Sequence, residues 1–131
     1  MIGKRITLQE YKDDRGDLIS VNDIPFSAKR VFFITDVKKG SSRGNHASKT
    51  ACFMYVLLNG YCKVELDDGY NIELHELTKT EALIFPRNTW MKIFDFEPET
   101  ILCVLSDVPY HSEDYVNDYE EFCRIVRKTH V

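Results

Sequence analysis

The stretch YCKVELDDGYNIELHEL, residues 61–77, constrains the fold more than any other. Cys62, Val64 and Leu66 alternate with Tyr61, Lys63 and Glu65, Asp67-Asp68-Gly69 supplies a turn, and Ile72 and Leu74 alternate with Asn71, Glu73 and His75. A period of two on both sides of a turn predicts an antiparallel hairpin with one face buried. The same texture runs through most of the chain. KRITL, LISV and AKRVFFITDV read as strands, separated by the turn DDRGDL and the loop NDIPF. TACFMYVLLNG is a short, nearly continuous apolar run that fits a buried strand, and its closing Asn59-Gly60 predicts a tight hairpin turn. EALIFPRNTWMKIFDF predicts two short strands broken at Pro86-Arg87-Asn88, and TILCVLSDV another buried strand. With turns every 8–12 residues, the pattern predicts an antiparallel sandwich or barrel.

After PYHSED the period changes. Tyr115, Tyr119, Phe122 and Val126 are spaced by three and four, which predicts one C-terminal helix over about 113–128, with Ser112 as its N-cap and an acidic first turn. No linker, repeat or low-complexity tract divides the 131 residues, which are read as a single domain over 1–131. A domain of this size hides roughly two-thirds of the surface of its unfolded chain and needs neither disulfide nor metal to fold. The net charge of −4 argues against a nucleic-acid footprint, which needs a clustered excess of Lys and Arg. No apolar run approaches the ~20 residues of a membrane helix, and no apolar leader follows Met1, so the expected location is the cytoplasm. Cys52, Cys62, Cys103 and Cys123 form no CxxC pair and read as reduced core residues.

The most informative stretch chemically is RGNHASKT, residues 43–50. A lone histidine is ordinarily a silent, hydrogen-bonded structural residue, but His46 lies between an Arg-Gly pair and a lysine, ahead of the apolar run. DRGDL, IPFSAKRVFFI, RGNHASK, VLLNGYCKVELDDG and DYVNDYEEF follow one another in an order that resembles the cupin-fold dTDP-sugar 3,4-ketoisomerases, a group akin to the WxcM-like proteins of bacterial surface-polysaccharide synthesis. The resemblance covers nearly the whole chain. It implies a double-stranded β-helix (jelly-roll barrel), a homodimer, and isomerisation of a nucleotide-diphospho-sugar without a cofactor. A base would take the proton at C3, an enediolate would form, and a proton would return at C4.

On that resemblance His46 is expected to be the catalytic proton carrier, with an ordinary pKa suited to the task. Arg43, Arg30 and Arg15 are expected to contact the diphosphate or sugar, guanidinium being matched to phosphate. Arg15 also has Asp13, Asp14 and Asp17 at hand for a turn salt bridge, and Arg30 a solvent face of its strand. Asn45, Ser48, Tyr55, Trp90 and Lys92 are expected to wall the substrate pocket, Ser48 sharing the inward side with His46 either as a donor or as a small space-filler. For Trp90, core packing stands beside stacking on the base or sugar. His75, His111 and His130 read as surface residues. The family motif resembles R-G-x-H-A-H-K, whereas this chain has Ser48 at its second histidine, Met91 after Trp90, and Phe32 and Phe33 where tyrosines are common. One histidine with no nearby carboxylate does not make a metal site, so no metal is expected. A non-catalytic sugar-nucleotide-binding or scaffold protein on the same fold is the alternative function, and an iron-dependent cupin oxygenase a third reading.

Overall fold

From its fourth strand onward the chain changes sheet at almost every connection. The computed structural model describes residues 1–128. The strands are β1 (Lys4–Thr7), β2 (Gln9–Asp13), β3 (Gly16–Ser20), β4 (Arg30–Thr35), β5 (Arg43–Ser48), β6 (Phe53–Asn59), β7 (Lys63–Asp67), β8 (Ile72–Glu76), β9 (Glu81–Phe85), β10 (Trp90–Phe94), β11 (Ile101–Ser106) and β12 (Tyr115–Val116), followed by helix α1 (Tyr119–Lys128). Two five-stranded antiparallel sheets have the orders β1-β9-β6-β11-β4 and β12-β5-β10-β7-β8, and β2-β3 is a separate ribbon. Among the described residues, only β7–β8 is a hairpin within one of the two large sheets. This is the all-β, cupin-type jelly roll with one C-terminal helix that the strand pattern and the resemblance imply.

The sequence makes this arrangement by filling three layers. Between the sheets lie Phe53, Tyr55 and Leu57 of β6, Val64 and Leu66 of β7, Met91 and Ile93 of β10, and Leu102 and Val104 of β11. Outside the first sheet, Met54 and Val56 pack with Leu8, Ala82 and Phe26. Because both faces of β6 are covered, its sequence is continuously apolar rather than alternating. Outside the second sheet, Ala47, Trp90 and Val116 receive Phe122, Cys123 and Val126 of α1. Full burial of each such large side chain is worth about 1.5–3 kcal/mol.

Three expectations are corrected. Asn59-Gly60 is not a hairpin turn, because β6 pairs with β11 and β9 while β7 pairs with β10 and β8. Gly60 carries the chain between sheets at φ +85°, where a Cβ would strike Thr100. The helix starts at Tyr119 rather than near 113. Tyr115 and Val116 pair with Ser48 and Ala47 in the second sheet, and Ser112 sits in a short 3₁₀ turn. Asp118 is the cap, its Oδ1 accepting the amides of Glu120 (2.9 Å) and Glu121 (3.4 Å). His75 is half-buried rather than on the surface; His111 is exposed, and His130 lies outside the described residues.

His75 belongs to a clasp between β1 and β8, the outer strands of the two sheets. The Glu73 carboxylate accepts the amides of Ile2 (2.6 Å) and Gly3 (2.9 Å) and pairs with His75 Nε2 (2.9 Å). Arg5 reaches from β1 to His75 Nδ1 at 3.5 Å. Burial alone would raise the Glu73 pKa, but the two amides and His75 outweigh it and bring it down to about 2. The stabilisation is therefore complete above the ordinary carboxylate range and is lost as pH falls through about 2. Glu73→Gln is expected to cost about 1–2 kcal/mol at pH 7, discounted for the part of the side chain still open to water. Urea unfolding at neutral pH and again near the lowered value checks this: the gap between wild type and variant should narrow in acid.

Candidate active site

β5 does not run straight beside β10. Met91 lies opposite His46, but the next residue, Lys92, lies opposite Gly44, so Asn45 is an extra residue bulged out of the ladder. It takes φ +61°, a left-handed conformation that asparagine tolerates, and its side-chain amide donates outward to Ser42 Oγ at 3.2 Å. Gly44 takes φ +85° with Met91 packed where a Cβ would be. Residues 43 and 46 would face opposite sides of a regular strand. With the bulge between them, Arg43 and His46 both line one cavity of about 310 Å³.

The cavity lies against the inner faces of β4, β5, β6 and β10. Arg30, Phe32 and Ile34 form one wall, Met91 and Ile93 another, and Tyr55 contributes from β6. The segment that crosses from β11 to α1 closes it with Tyr110, Tyr115 and Asn117. The His46 ring lies against Tyr115, with centroids 4.5 Å apart and planes inclined by 49°. Arg30 Nη1 donates to Tyr115 Oη at 2.9 Å, and its guanidinium lies over the rings of Phe32 (4.1 Å) and Tyr110 (4.9 Å). A larger concavity of about 670 Å³ lies among Ile2, the β9–β10 turn and α1; it carries no histidine and shares no residue with the first.

The electrostatics favour a neutral imidazole. Burial lowers the His46 pKa first; a hydrogen bond to Asn117 raises it, and the charges of Arg43 and Arg30 lower it again. His46 is thus poised to take a proton near neutral pH, with the cations of Arg30 and Arg43 lining the same cavity to meet negative charge. Tyr55 is pushed well above the usual phenol range by burial, with smaller contributions from Tyr115 and Cys62, and stays protonated.

The structure brings His46, Arg43, Arg30 and Tyr55 together and places the other expected site residues elsewhere. Arg15 is at the tip of the β2–β3 ribbon, where Asp13 holds it through Nη2–Oδ2 (2.5 Å) and its own amide (2.8 Å); it lines a separate surface groove. Asn45 is turned away by the bulge. Ser48 is buried at the end of β5, and its Oγ accepts the amides of Ala51 (2.9 Å) and Thr50 (3.3 Å), capping the turn into β6. Trp90 and Lys92 have the wrong parity: Met91 and Ile93 face the cavity, so their neighbours face outward. Trp90 packs beneath α1 against Tyr119 and Phe122, and Lys92 Nζ lies over Phe94. The residues that sequence reading missed are Tyr110, Tyr115 and Asn117; Tyr115 and Asn117 fall in the stretch read as the start of the C-terminal helix, and Tyr110 lies just before it.

Comparison with known proteins agrees with this architecture. The family model described as FdtA, WxcM-like, C-terminal, matches residues 3–127. The chain belongs to this family. It is 35% identical over 132 residues, 98% of this chain and 95% of the other, to the TDP-4-oxo-6-deoxy-α-D-glucose-3,4-oxoisomerase of Aneurinibacillus thermoaerophilus. A 3,4-ketoisomerase structure from Helicobacter canadensis superposes with a TM-score of 0.91 at 32% identity, covering 95% of this chain and 97% of that one. The sugar 3,4-ketoisomerase QdtA of Thermoanaerobacterium thermosaccharolyticum, in complex with TDP, gives 0.93 at 29% identity, covering 98% and 97%.

The His46 environment makes a direct prediction. In an NMR titration its ring should protonate below the usual 6.5. Arg43→Gln should move the midpoint up by removing a like charge, and Asn117→Ala should move it down.

Proposed function

We propose that this protein is a nucleotide-diphospho-sugar 3,4-ketoisomerase that moves the ketone of a dTDP-4-keto-6-deoxyhexose from C4 to C3 by proton transfer, with no cofactor. The observation that carries the reading is one cavity lined by a half-buried, neutral imidazole and two guanidinium groups, in a chain of the WxcM-like family. Neutral His46 removes the C3 proton, the electron pair forms the C3=C4 bond, and the C4 oxygen takes the negative charge. Arg30, fixed by Tyr115 and the Phe32 ring, supplies positive charge near that oxygen. A proton passes from the C3 oxygen to the C4 oxygen, the imidazolium returns its proton at C4, and the C3 oxygen becomes the ketone. Arg43 at the cavity edge is suited to the diphosphate, whose oxygens match its fork. A cavity of about 310 Å³ suits a pyranose with the nucleotide trailing outside.

The cell function we infer is the making of sugars for bacterial surface polysaccharides, in the cytoplasm, by a homodimer. The exposed apolar side chains support the dimer. Val31 and Phe33 on the outer strand β4 are 52% and 60% exposed, and Tyr11 and Leu18 on the β2–β3 ribbon are both 58% exposed. A two-stranded ribbon is marginal by itself, and an open strand edge favours association. A second copy covering these surfaces satisfies both. Phe33→Glu should shift the protein to a monomer in sedimentation velocity, with its melting temperature lowered.

Turnover is tested by incubating the protein with dTDP-4-keto-6-deoxyglucose in deuterated water and following label at C3 and C4. Wild type should incorporate deuterium and form the 3-keto sugar. His46→Asn should lower both by ~10²–10⁴-fold. Tight binding of the nucleotide-sugar without exchange by wild type would identify a binding protein instead.

A further inference from the structure

A ketone shift on adjacent carbons moves two protons, one between C3 and C4 and one between the two oxygens. On the ketoisomerase reading His46 accounts for the first, and the second needs its own carrier. We propose that the Tyr115 phenol is that carrier, working on the sugar oxygens while His46 works on the carbons.

The cavity leaves few other choices. Ser48 is committed to two backbone amides. Lys92 faces outward over Phe94. Tyr55 is buried where its ionisation is opposed. Tyr110 is 59% exposed at the rim. The guanidinium groups of Arg30 and Arg43 do not give up protons near neutral pH. Tyr115 combines three features. It lines the cavity, its ring lies against His46, and its oxygen accepts a proton-bearing nitrogen of Arg30 at 2.9 Å. Because Arg30 occupies a lone pair, the phenol's own hydrogen is free to be donated into the cavity, and the phenolate left behind is held by the same guanidinium.

The steps balance with these two residues alone. His46 takes the proton from C3, the C3–H electrons form C3=C4, and the C4 oxygen takes the negative charge beside Arg30. In a separate step that enolate oxygen takes the phenol proton of Tyr115, leaving an enediol and a phenolate. The imidazolium next gives its proton to C4. The C3 hydroxyl gives its proton to the phenolate, and its oxygen becomes the new ketone. Both residues end as they began. A single imidazole suffices at carbon because C3 and C4 are neighbours, so the serine at position 48 leaves no step without a carrier.

The test separates this role from a merely structural one. In Tyr115→Phe the ring contact with His46 is kept and the hydroxyl is lost. With dTDP-4-keto-6-deoxyglucose in deuterated water, product formation should fall ~10²–10³-fold while deuterium exchange at C3 stays within about tenfold of wild type, because the enolate is still formed and is returned at C3. If product formation and exchange fall by the same factor, Tyr115 only positions His46 and the proposal is overturned. Product formation within about threefold of wild type also overturns it. If wild type neither exchanges nor converts the sugar, the ketoisomerase reading fails and this role with it. Should Tyr115→Phe fail to fold by circular dichroism, Tyr115→3-fluorotyrosine keeps the hydroxyl and makes it more acidic. The ratio of product formation to exchange at C3 should then change by more than about threefold, and an unchanged ratio overturns the proposal.

Discussion

Where the ladder between β5 and β10 skips Asn45, Arg43 and His46 come to share a wall, and the chemistry of the cavity follows from that skipped residue. Without the bulge the strand's alternation would send one of the two outward, since a shift of one residue exchanges the faces of a strand. The bulge needs Gly44 and Asn45 in left-handed conformations and needs Met91 to fill the space against Gly44. The apolar interior between the sheets therefore does more than stabilise the barrel. It fixes the depth at which the imidazole sits, and so its state of protonation.

Much of the architecture was legible because burial leaves a periodic trace. β7 shows the alternation of a strand with one buried face, and β6 shows the unbroken apolar run of a strand covered twice. On β8 the expected parity is inverted, Ile72 and Leu74 being exposed while Glu73 and His75 pair on the inner side with Leu66 and Val64. The crossings between sheets were not legible, because Asn59-Gly60 carries the same local turn chemistry whether the next strand pairs beside it or opposite it. The start of α1 was misplaced because Tyr115 continues the helical spacing of Tyr119 and Phe122 while its backbone belongs to a strand. Only the distant partner Ser48 reveals this.

The candidate site was legible at its centre and misread at its walls. His46, Arg43 and Arg30 lie in stretches whose composition and order carry the family resemblance. Trp90 and Lys92 were drawn in by chemical appeal, whereas the apolar Met91 and Ile93 between and beyond them are the inward pair. The Ser48 hydroxyl is consumed by local backbone donors, a competition that serine enters readily at strand ends. The alternation of β10 already contained the correct parity, since a residue facing the interior of a barrel is more often greasy than functional.

The outward seat of Trp90 has a practical consequence. It is the chain's sole indole, and it rests edge-on against Tyr119 under the terminal helix. Its fluorescence is thus a built-in gauge of whether that helix is docked. It should stay quiet when a sugar enters the barrel, so a change in emission on adding ligand would signal movement of the protein's back rather than occupancy of its mouth.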